Sequence, residues 1–245
     1  MSVAGKIVLV AGATSASGAA ACRVLTEAGA RVVAVGRRPD AAVESGAGVE
    51  LGAATEFGAA GGLSTVSGSS IRTEVCDLTD EGEVAALAQR VHDTDGPVDG
   101  VLHLVGGWKG GGGLAGQTEQ DFRFLEGSFT ALRHVSRAFD ADLRASEAGR
   151  IAVVSSTVVA RPLAGGANYA AVKAATEAWA RAVAQGFAKD ARDAGRELTA
   201  ASVIFRVASL AGLEETLAER FVQLWATPAT EINDTIIELT TIGQP

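Results

Sequence analysis

Short apolar runs alternate with longer helical patterns along the 245 residues of the chain. The first two runs, Lys6–Ala11 and Arg31–Gly36, are rich in valine and isoleucine, which is typical of strands buried on both faces. The alanine-rich segment between them, Ser17–Ala28, has a helical pattern that ends before Gly29. Further strands are predicted at Ile71–Cys76, Gly100–Val105, Arg150–Ser155, Leu198–Phe205 and Asp234–Thr240, and further helices at Glu81–His92, Thr118–Leu143, Asn168–Arg192 and Leu213–Trp225. Seven buried strands separated by helices predict an α/β, doubly wound fold, with a seven-stranded parallel sheet and helices on both faces.

Residues 41–70 interrupt this alternation because they are dense in glycine, alanine and serine. A helix could cover part of the segment, and the rest is expected to form a loop. Two interpretations stay open, a solvated insert and a lid over a ligand. The chain shows no internal repeat and no second set of elements, so residues 1–245 are predicted to form a single domain.

The composition narrows the classes of partner. The 29 acidic residues outnumber the 21 basic ones and give a net charge of −8, which argues against nucleic acid or an anionic membrane as partner. No apolar run approaches the ~20 residues of a membrane span, and no basic region with an apolar stretch follows Met1. A cytoplasmic location is therefore expected. The two cysteines and three histidines are scattered, so no metal site is predicted and both thiols are expected to be buried.

The only tyrosine of the chain, Tyr169, lies near the start of a predicted helix, and Lys173 follows four residues later on the same face. Ser156 stands at the end of the strand that precedes this helix. A phenol with a pKa near 10 is a poor acid–base catalyst at neutral pH, but a nearby ammonium group lowers that pKa toward the working range. The pattern therefore indicates a proton-transfer site; the alternative is an exposed tyrosine and a solvated lysine on an amphipathic helix.

A glycine-rich turn connects the first predicted strand to the first predicted helix. Its candidate phosphate contacts are Gly12, Thr14, Ser15, Ala16, Ser17 and Gly18. Glycines let the backbone approach a pyrophosphate, and the helix N-terminus offers free N–H groups and a partial positive charge. The turn predicts a dinucleotide-binding site, with a plain tight turn as the alternative.

Both features resemble motifs of the short-chain dehydrogenase/reductase family. The turn resembles its TGxxxGxG segment, and the spacing of Ser156, Tyr169 and Lys173 resembles its Ser…Tyr-x-x-x-Lys triad. Two residues of the turn depart from the family pattern: Ala11 replaces the threonine, and Ala16 replaces the middle glycine, where a positive φ would be costly. The resemblance extends over almost the whole chain and implies a Rossmann fold that binds NAD(P).

The resemblance also implies roles for individual side chains. Tyr169 is the expected general acid or base, Ser156 hydrogen-bonds the substrate oxygen, and Lys173 stabilises the phenolate and holds the cofactor ribose, so that Tyr169 and Lys173 both contact the cofactor. Ser128 stands at the position of an asparagine that relays protons through water to the lysine. A serine there is expected to hold a water less rigidly, and Ser128 is the fourth catalytic candidate.

Two further segments resemble cofactor contacts of the family. Cys76–Leu78 follows the third strand and resembles an adenine-contacting pair, although Asp77 could equally be a turn residue ahead of a helix. Leu102–Gly107 stands where the family has its NNAG segment, with His103 and Leu104 in place of both asparagines, so the side-chain support of the sheet is expected to differ. The cofactor-binding candidates of these two segments are Cys76, Asp77, Leu78, Val105, Gly106 and Gly107.

The residues at the end of the second strand indicate which cofactor the chain prefers. Family members that prefer NAD have an aspartate at the position of Gly36, whereas this chain continues with Arg37 and Arg38. The glycine leaves room for a 2′-phosphate, and a guanidinium can hold it with two charge-assisted hydrogen bonds. NADP(H) is therefore favoured over NAD(H), with Arg37 as the main contact and Arg38 as the second; two solvated arginines in a turn are the alternative.

A substrate loop that family members have after the sixth strand is short here. Arg206 and Val207 stand where the family has Pro-Gly, and few residues precede the next helix. Either the pocket is more open or another segment covers it. Trp108 in the glycine-rich stretch Gly106–Gly113 is the candidate cover, and a floppy surface loop is the alternative.

These observations predict an NADPH-dependent oxidoreductase that reduces a ketone or aldehyde. The alternatives are a catalytically idle, nucleotide-binding relative that serves as a sensor or scaffold, and an NAD-linked alcohol dehydrogenase. The expected partner is a small carbonyl or alcohol substrate. By resemblance, the chain is expected to form a homodimer or homotetramer through its long helices, where Phe122, Phe129, Trp179 and Phe187 would supply an interface or, equally, part of the core.

Overall fold

A computed structural model describes residues 1–37, 63–66 and 69–240 of the chain. The described strands form one sheet in the order β3-β4-β2-β1-β5-β6-β7-β8. The strands are β1 (Ile7–Ala11), β2 (Arg31–Gly36), β3 (Leu63–Val66), β4 (Ser69–Val75), β5 (Gly100–His103), β6 (Arg150–Ser156), β7 (Ala201–Val207) and β8 (Thr235–Leu239). All neighbouring pairs are parallel except β3 with β4. The prediction of seven parallel strands in a doubly wound fold is confirmed.

Helices cover both faces of the sheet. They are α1 (Ala16–Glu27), α2 (Glu81–Thr94), α3 (Glu119–Ala138), α4 (Asp140–Ala145), α5 (Ala167–Asp193), α6 (Glu214–Gln223) and α7 (Ala229–Ile232). Helices α1 and α6 pack together on one face, and α3 contacts α2 and α5 on the other. Among the helices in the described ranges, none combines the length and apolar character that a membrane span requires.

Successive side chains of a strand point to opposite faces of the sheet, so each strand contributes to a hydrophobic core on both faces. In β1, Val8 and Val10 belong to the cluster under α1 and α6, whereas Ile7 and Leu9 belong to the cluster under α2 and α3. Every residue of β1 is buried, which explains why its sequence is apolar throughout. Phe187 is 1% exposed within the second cluster, so of the two roles left open for it, interface or core, the structure supports the core.

The sequence pattern missed one strand inside the glycine-rich insert. Strand β3 pairs antiparallel with β4, with Val66 opposite Ser69, at one edge of the sheet. Two runs of β-branched residues separated by Ser-Gly are a hairpin signal that the small-residue composition concealed. Most of the insert, residues 41–62 and 67–68, lies outside the described residues, and so does the interpretation of the insert as a lid.

Two predicted boundaries also differ. The sixth parallel strand was expected at Leu198–Phe205 but runs from Ala201 to Val207, because it pairs with β6 up to Ser156 opposite Val207. The residues at the expected Pro-Gly position are therefore part of the sheet. The long helix predicted at Thr118–Leu143 is divided into α3 and α4 at the fully buried Phe139.

Candidate active site

Two adjoining clefts lie at the carboxyl ends of the parallel strands, the usual ligand position in doubly wound sheets. The first, of about 420 Å³, contains the candidate residues Gly12, Thr14, Ser15, Arg37, Cys76, Asp77, Leu78, Val105, Gly106 and Ser128. The second, of about 350 Å³, contains Ser15, Ser17, Val105, Gly106, Gly107, Ser156, Tyr169 and Lys173. The structure thus brings most of the predicted residues to one edge of the sheet. Ala16 and Gly18 lie at the start of α1, and Arg38 lies outside the described residues.

Two glycines shape the turn between β1 and α1. Gly12 has a φ of +92°, and a Cβ there would lie 2.9 Å from backbone atoms of Leu104 and Val105. A Cβ on Gly18 would lie 2.4 Å from the carbonyl oxygen of Gly12. Any side chain at either position would therefore push the turn off the end of β5 or off its own helix, so both glycines are structural requirements of the turn.

The N-terminus of α1 is capped within the turn. The Ser15 hydroxyl donates to Gly12 O at 2.9 Å and accepts from Gly18 N at 3.0 Å. Ala16 is the first residue of the helix and does not have a positive φ. Among the described residues, Asp234 is the only one other than glycine with a positive φ. The cost expected from alanine in place of the middle glycine does not arise, because that residue adopts helical geometry.

Arg37 and Asp77 are a cation and a carboxylate that line the first cleft near the end of β2. Gly36 is buried at the end of β2, and the exposed Arg37 follows it into the cleft. Asp77 accepts hydrogen bonds from the Thr79 backbone N–H at 2.9 Å and from its hydroxyl at 2.7 Å. These hydrogen bonds and the charge of Arg37 lower the pKa of Asp77. Its carboxylate is therefore both a turn residue ahead of α2 and part of the cleft wall, which combines the two sequence interpretations.

The tyrosine and the serine of the predicted triad meet in the second cleft. Ser156 is buried at the end of β6, and Tyr169 is half-buried in the first turn of α5. Burial raises the pKa of Tyr169, while its hydrogen bond with the Ser156 side chain lowers that pKa in part. The phenol of this structure is thus held in its protonated form at neutral pH.

Lys173 lies beneath the tyrosine ring. Its Nζ donates to Val154 O at 2.8 Å and lies 5.6 Å from the centre of the Tyr169 ring. Burial lowers the pKa of Lys173 to about 8. In this structure burial and Ser156 shift the pKa of Tyr169, and the amine donates one of its hydrogens to the strand, so the expected stabilisation of the phenolate by this ammonium stays a prediction. The backbone of Gly106 passes close by, since a Cβ there would lie 3.8 Å from Nζ.

A buried histidine, His103, lies near this lysine. The sequence indicated only that it replaces an asparagine of the family's NNAG segment. His103 is 4% exposed, and its Nε2 lies 3.1 Å from the backbone oxygen of Ser128. A carbonyl only accepts, so Nε2 carries the proton and Nδ1 is a buried acceptor without a partner among the described residues. Burial, with a smaller contribution from the charge of Lys173, lowers the pKa of His103 to about 4, although the hydrogen bond to Ser128 O acts in the opposite direction. The Ser128 hydroxyl donates to Leu125 O at 2.7 Å inside its own helix.

A buried ion pair lies behind the triad, and no spacing in the sequence pointed to it. Glu177, one turn after Lys173 on α5, accepts from the Ser155 hydroxyl at 2.7 Å. Arg206 of β7 donates to both oxygens of the same carboxylate, at 3.0 and 2.8 Å. The pair ties the helix that carries Tyr169 to the two strands beneath it. The arginine in place of Pro-Gly was the only sequence signal.

The glycine-rich stretch after β5 is anchored over the second cleft. Gln117 donates through Nε2 to the carbonyl oxygens of Gly111 and Gly165, both at 3.0 Å, and accepts from Asn168 N at 3.2 Å. Gly111 N also donates to Gly165 O at 2.7 Å. Since Asn168 directly precedes Tyr169, the loop is attached to the start of α5. The interpretation of Gly106–Gly113 as a cover of the pocket is favoured over a floppy loop.

The sequence model of the short chain dehydrogenase family matches residues 6–191, well over half of the chain. The chain belongs to this family. It is accordingly an oxidoreductase of the NAD(P)-dependent short-chain dehydrogenase type. No curated protein matches it in sequence.

Solved structures of the family share the fold. A metagenomic short-chain oxidoreductase in complex with NADP is 24% identical, with a TM-score of 0.73 over 98% of this chain and 99% of that chain. L-sorbose reductase from Gluconobacter frateurii, complexed with NADPH and L-sorbose, is 18% identical, with a TM-score of 0.74 over 98% and 96%. A short chain dehydrogenase from Escherichia coli CFT073 is 20% identical, with a TM-score of 0.76 over 96% of both chains. At these identities the similarity concerns the fold.

Proposed function

We propose that this dehydrogenase reduces the carbonyl group of a ketone or aldehyde with NADPH, and that Tyr169 donates the proton. The observation that carries the proposal is the meeting of Ser156, Tyr169 and Lys173 in one cleft at the carboxyl edge of the sheet. Two similar structures are complexes with NADP or NADPH, and one of them also holds a ketose, which supports this assignment.

The first cleft fits the cofactor. The capped N-terminus of α1 and the turn from Gly12 to Gly18 suit a pyrophosphate, because the two glycines leave the backbone open there. Arg37 beside the side-chain-free Gly36 suits the 2′-phosphate, and the segment Cys76–Leu78 suits the adenine. Backbone from Val105 to Gly107 would line the middle of the cofactor, and Lys173 would hold its ribose. When bound, the nicotinamide supplies the hydride.

The residues of the second cleft supply orientation and the proton. The Ser156 hydroxyl fixes the position of the substrate oxygen next to the phenol. Because burial raises the pKa of Tyr169, the phenol carries a proton at neutral pH and can give it to the oxygen as negative charge develops. Lys173, charged below its pKa of about 8, stabilises the phenolate that this transfer leaves.

One observation favours a second candidate, a cofactor-binding sensor or scaffold without turnover. The Ser128 hydroxyl is bonded to Leu125 O and the Ser128 carbonyl is bonded to His103, so the groups that would hold a relay water are already engaged. The relay proposed for Ser128 therefore needs a rearrangement of its hydroxyl. A family member that serves as a sensor or scaffold would bind NADPH as tightly as an active enzyme does.

Assays of the purified protein with a panel of ketones and aldehydes distinguish the reductase from the sensor or scaffold. We expect NADPH oxidation that depends on both the carbonyl compound and Tyr169, and slower oxidation of NADH. Cofactor binding in a calorimeter without oxidation of NADPH by any member of the panel would establish the scaffold instead. Preferential oxidation of alcohols with NAD would support the NAD-linked alcohol dehydrogenase.

A cytoplasmic location stays a prediction.

A further inference from the structure

We propose that the substrate is an uncharged carbonyl compound with an aromatic or bulky apolar group, which packs against Trp108, and that Gln117 is the positioning residue that holds this wall over Tyr169. The proposal rests on the carbonyl reduction proposed above and adds the class of substrate. It concerns the part of the second cleft beyond the proton donor.

The wall beyond the triad is mostly apolar, and the exposed Ser209 is its one polar side chain among the described residues. Val158, Val207, Ala208 and Leu210 line the cleft together with Trp108. Among the described residues that line it, the only charged side chain is Lys173, which is bonded to Val154 O at the base. A carboxylate or phosphate on the substrate would lose its water here without gaining a free cation, which is unfavourable. A sugar would find few partners for its hydroxyls on this wall, where Ser209 is the one polar side chain in the described part of the chain.

Trp108 presents a large apolar surface to the mouth of the cleft. Its side chain is 65% exposed and lines the cleft together with the apolar residues of the wall, so it extends their apolar surface. The indole is seated on Gly110, where an added Cβ would lie 3.0 Å from its Cζ2 atom. The glycine therefore allows the ring to lie against its own loop with one face open.

Gln117 makes this wall a fixed part of the site. Its amide donates to Gly111 and Gly165 and accepts from Asn168, so one side chain joins the Trp108 loop to the residue before Tyr169. The distance between the aromatic wall and the proton donor thus depends on this amide together with the backbone hydrogen bond from Gly111 N to Gly165 O. Leu114 lies in the same loop but is 71% exposed and does not line the cleft, which makes it a matched control.

The kinetic test compares carbonyl compounds that share a reacting group. We expect kcat/KM for acetophenone to exceed that for para-carboxyacetophenone and for fructose by about 10-fold or more, which is about 1.4 kcal/mol. Trp108→Ala and Gln117→Ala should each raise KM for acetophenone about 10-fold and leave KM for NADPH unchanged. Leu114→Ala should change neither.

A binding measurement separates this proposal from the proposed reaction. With saturating NADP⁺, which permits no reduction, acetophenone should quench the fluorescence of Trp108 saturably, and Trp108→Phe should abolish that component; the other two tryptophans, Trp179 and Trp225, do not line this cleft. Saturable quenching without NADPH oxidation would leave the substrate class standing and refute the reductase. Equal or better reduction of the carboxylate or the ketose, or an unchanged KM in Trp108→Ala, would refute the substrate class while carbonyl reduction stands. The absence of both binding and reduction would refute the substrate class and the reductase together.

Discussion

Three titratable side chains of the second cleft, the buried His103 and the half-buried Tyr169 and Lys173, differ in the direction in which burial shifts their pKa. Burial raises the pKa of Tyr169, lowers that of Lys173 to about 8 and lowers that of His103 to about 4. In each case the neutral form is favoured, because a charge is poorly solvated there. At pH 7 the phenol and the ammonium keep their protons while the imidazole stays neutral, which is the state that proton donation to a carbonyl requires.

Replacement of Tyr169 by phenylalanine tests the proton donor. Tyr169→Phe should lower kcat by about 10²–10⁴-fold, because only the phenolic proton is removed and the ring remains. Cofactor affinity and Tm should stay close to those of the wild type. An enzyme that keeps most of its turnover in this variant does not use Tyr169 as its acid.

The role of Lys173 can be tested by the pH dependence of kcat/KM, which reports groups of the free enzyme. The wild type should lose activity above about pH 8 as the ammonium loses its proton. Lys173→Met should be much slower at every pH, bind NADPH more weakly, and lack the loss near pH 8. If both pH profiles have the same shape, the lysine does not act on the tyrosine.

His103 predicts a stability effect in acid. Its pKa is about 4 in the fold and about 6.5 when unfolded, so between these values the unfolded chain binds more protons. The free energy of unfolding should therefore fall as the pH falls from 6.5 to 4, by at most about 1.4 kcal/mol per pH unit from this group. His103→Gln, which keeps an amide donor for Ser128 O, should show a shallower fall in denaturant unfolding. Identical slopes would mean that the imidazole is charged in the fold.

At the level of elements, the chemistry lies where strands end and helices begin. The N-terminus of α1 follows β1 across a turn closed by Gly12 and Gly18, and Arg37 follows the end of β2. Helix α5 presents Tyr169 and Lys173 on one face and is fastened to β6 and β7 through Glu177. Local capping sets the start of α1, whereas a long-range ion pair sets the position of α5.

The end of β2 predicts the choice of cofactor. Arg37→Ala should raise KM for NADPH about 10- to 100-fold, since hydrogen bonds to charged groups contribute roughly 1.5–3 kcal/mol. KM for NADH should stay nearly unchanged, because NADH has no 2′-phosphate. A wild type that uses both cofactors equally well would contradict the assignment.

At the level of the whole molecule, the order of the strands gathers distant segments at one edge. The two clefts meet at the switch point between β1 and β5, where they share Ser15, Val105 and Gly106. The residues around the end of β2 that suit the nucleotide lie on one side of this point, and the proton-transfer residues of β6 and α5 lie on the other. The outer face of α3 and α5 carries the half-buried rings of Phe129 and Trp179, 6.0 Å apart in an edge-to-face contact. We propose that this face forms the interface of a homodimer or homotetramer.

The mass of the particle in solution tests this interface. Light scattering should show a dimer or tetramer for the wild type and a smaller particle for Trp179→Glu, because a buried unpaired carboxylate is costly. Ala85→Glu, on the exposed side of α2, is the control and should assemble normally. A monomeric wild type, or a normal assembly of Trp179→Glu, would exclude this face.

The sequence alone determined the seven parallel strands, the turn from Gly12 to Gly18, and the i,i+4 placement of Tyr169 and Lys173, because periodicity, capping and glycine geometry are local properties. It missed β3 and the true bounds of β7, since strand pairing is decided by a neighbour far along the chain. Only the tertiary structure shows that Gln117 anchors the Trp108 loop to the start of α5. The same holds for the bond of His103 to Ser128 O and for the buried partners of Glu177. Apart from the bond of Gln117 to Gly111, these contacts join residues 22 to 51 positions apart, and no spacing rule encodes them. The shift in each pKa depends on burial, which exists only once the sheet and its helices have packed.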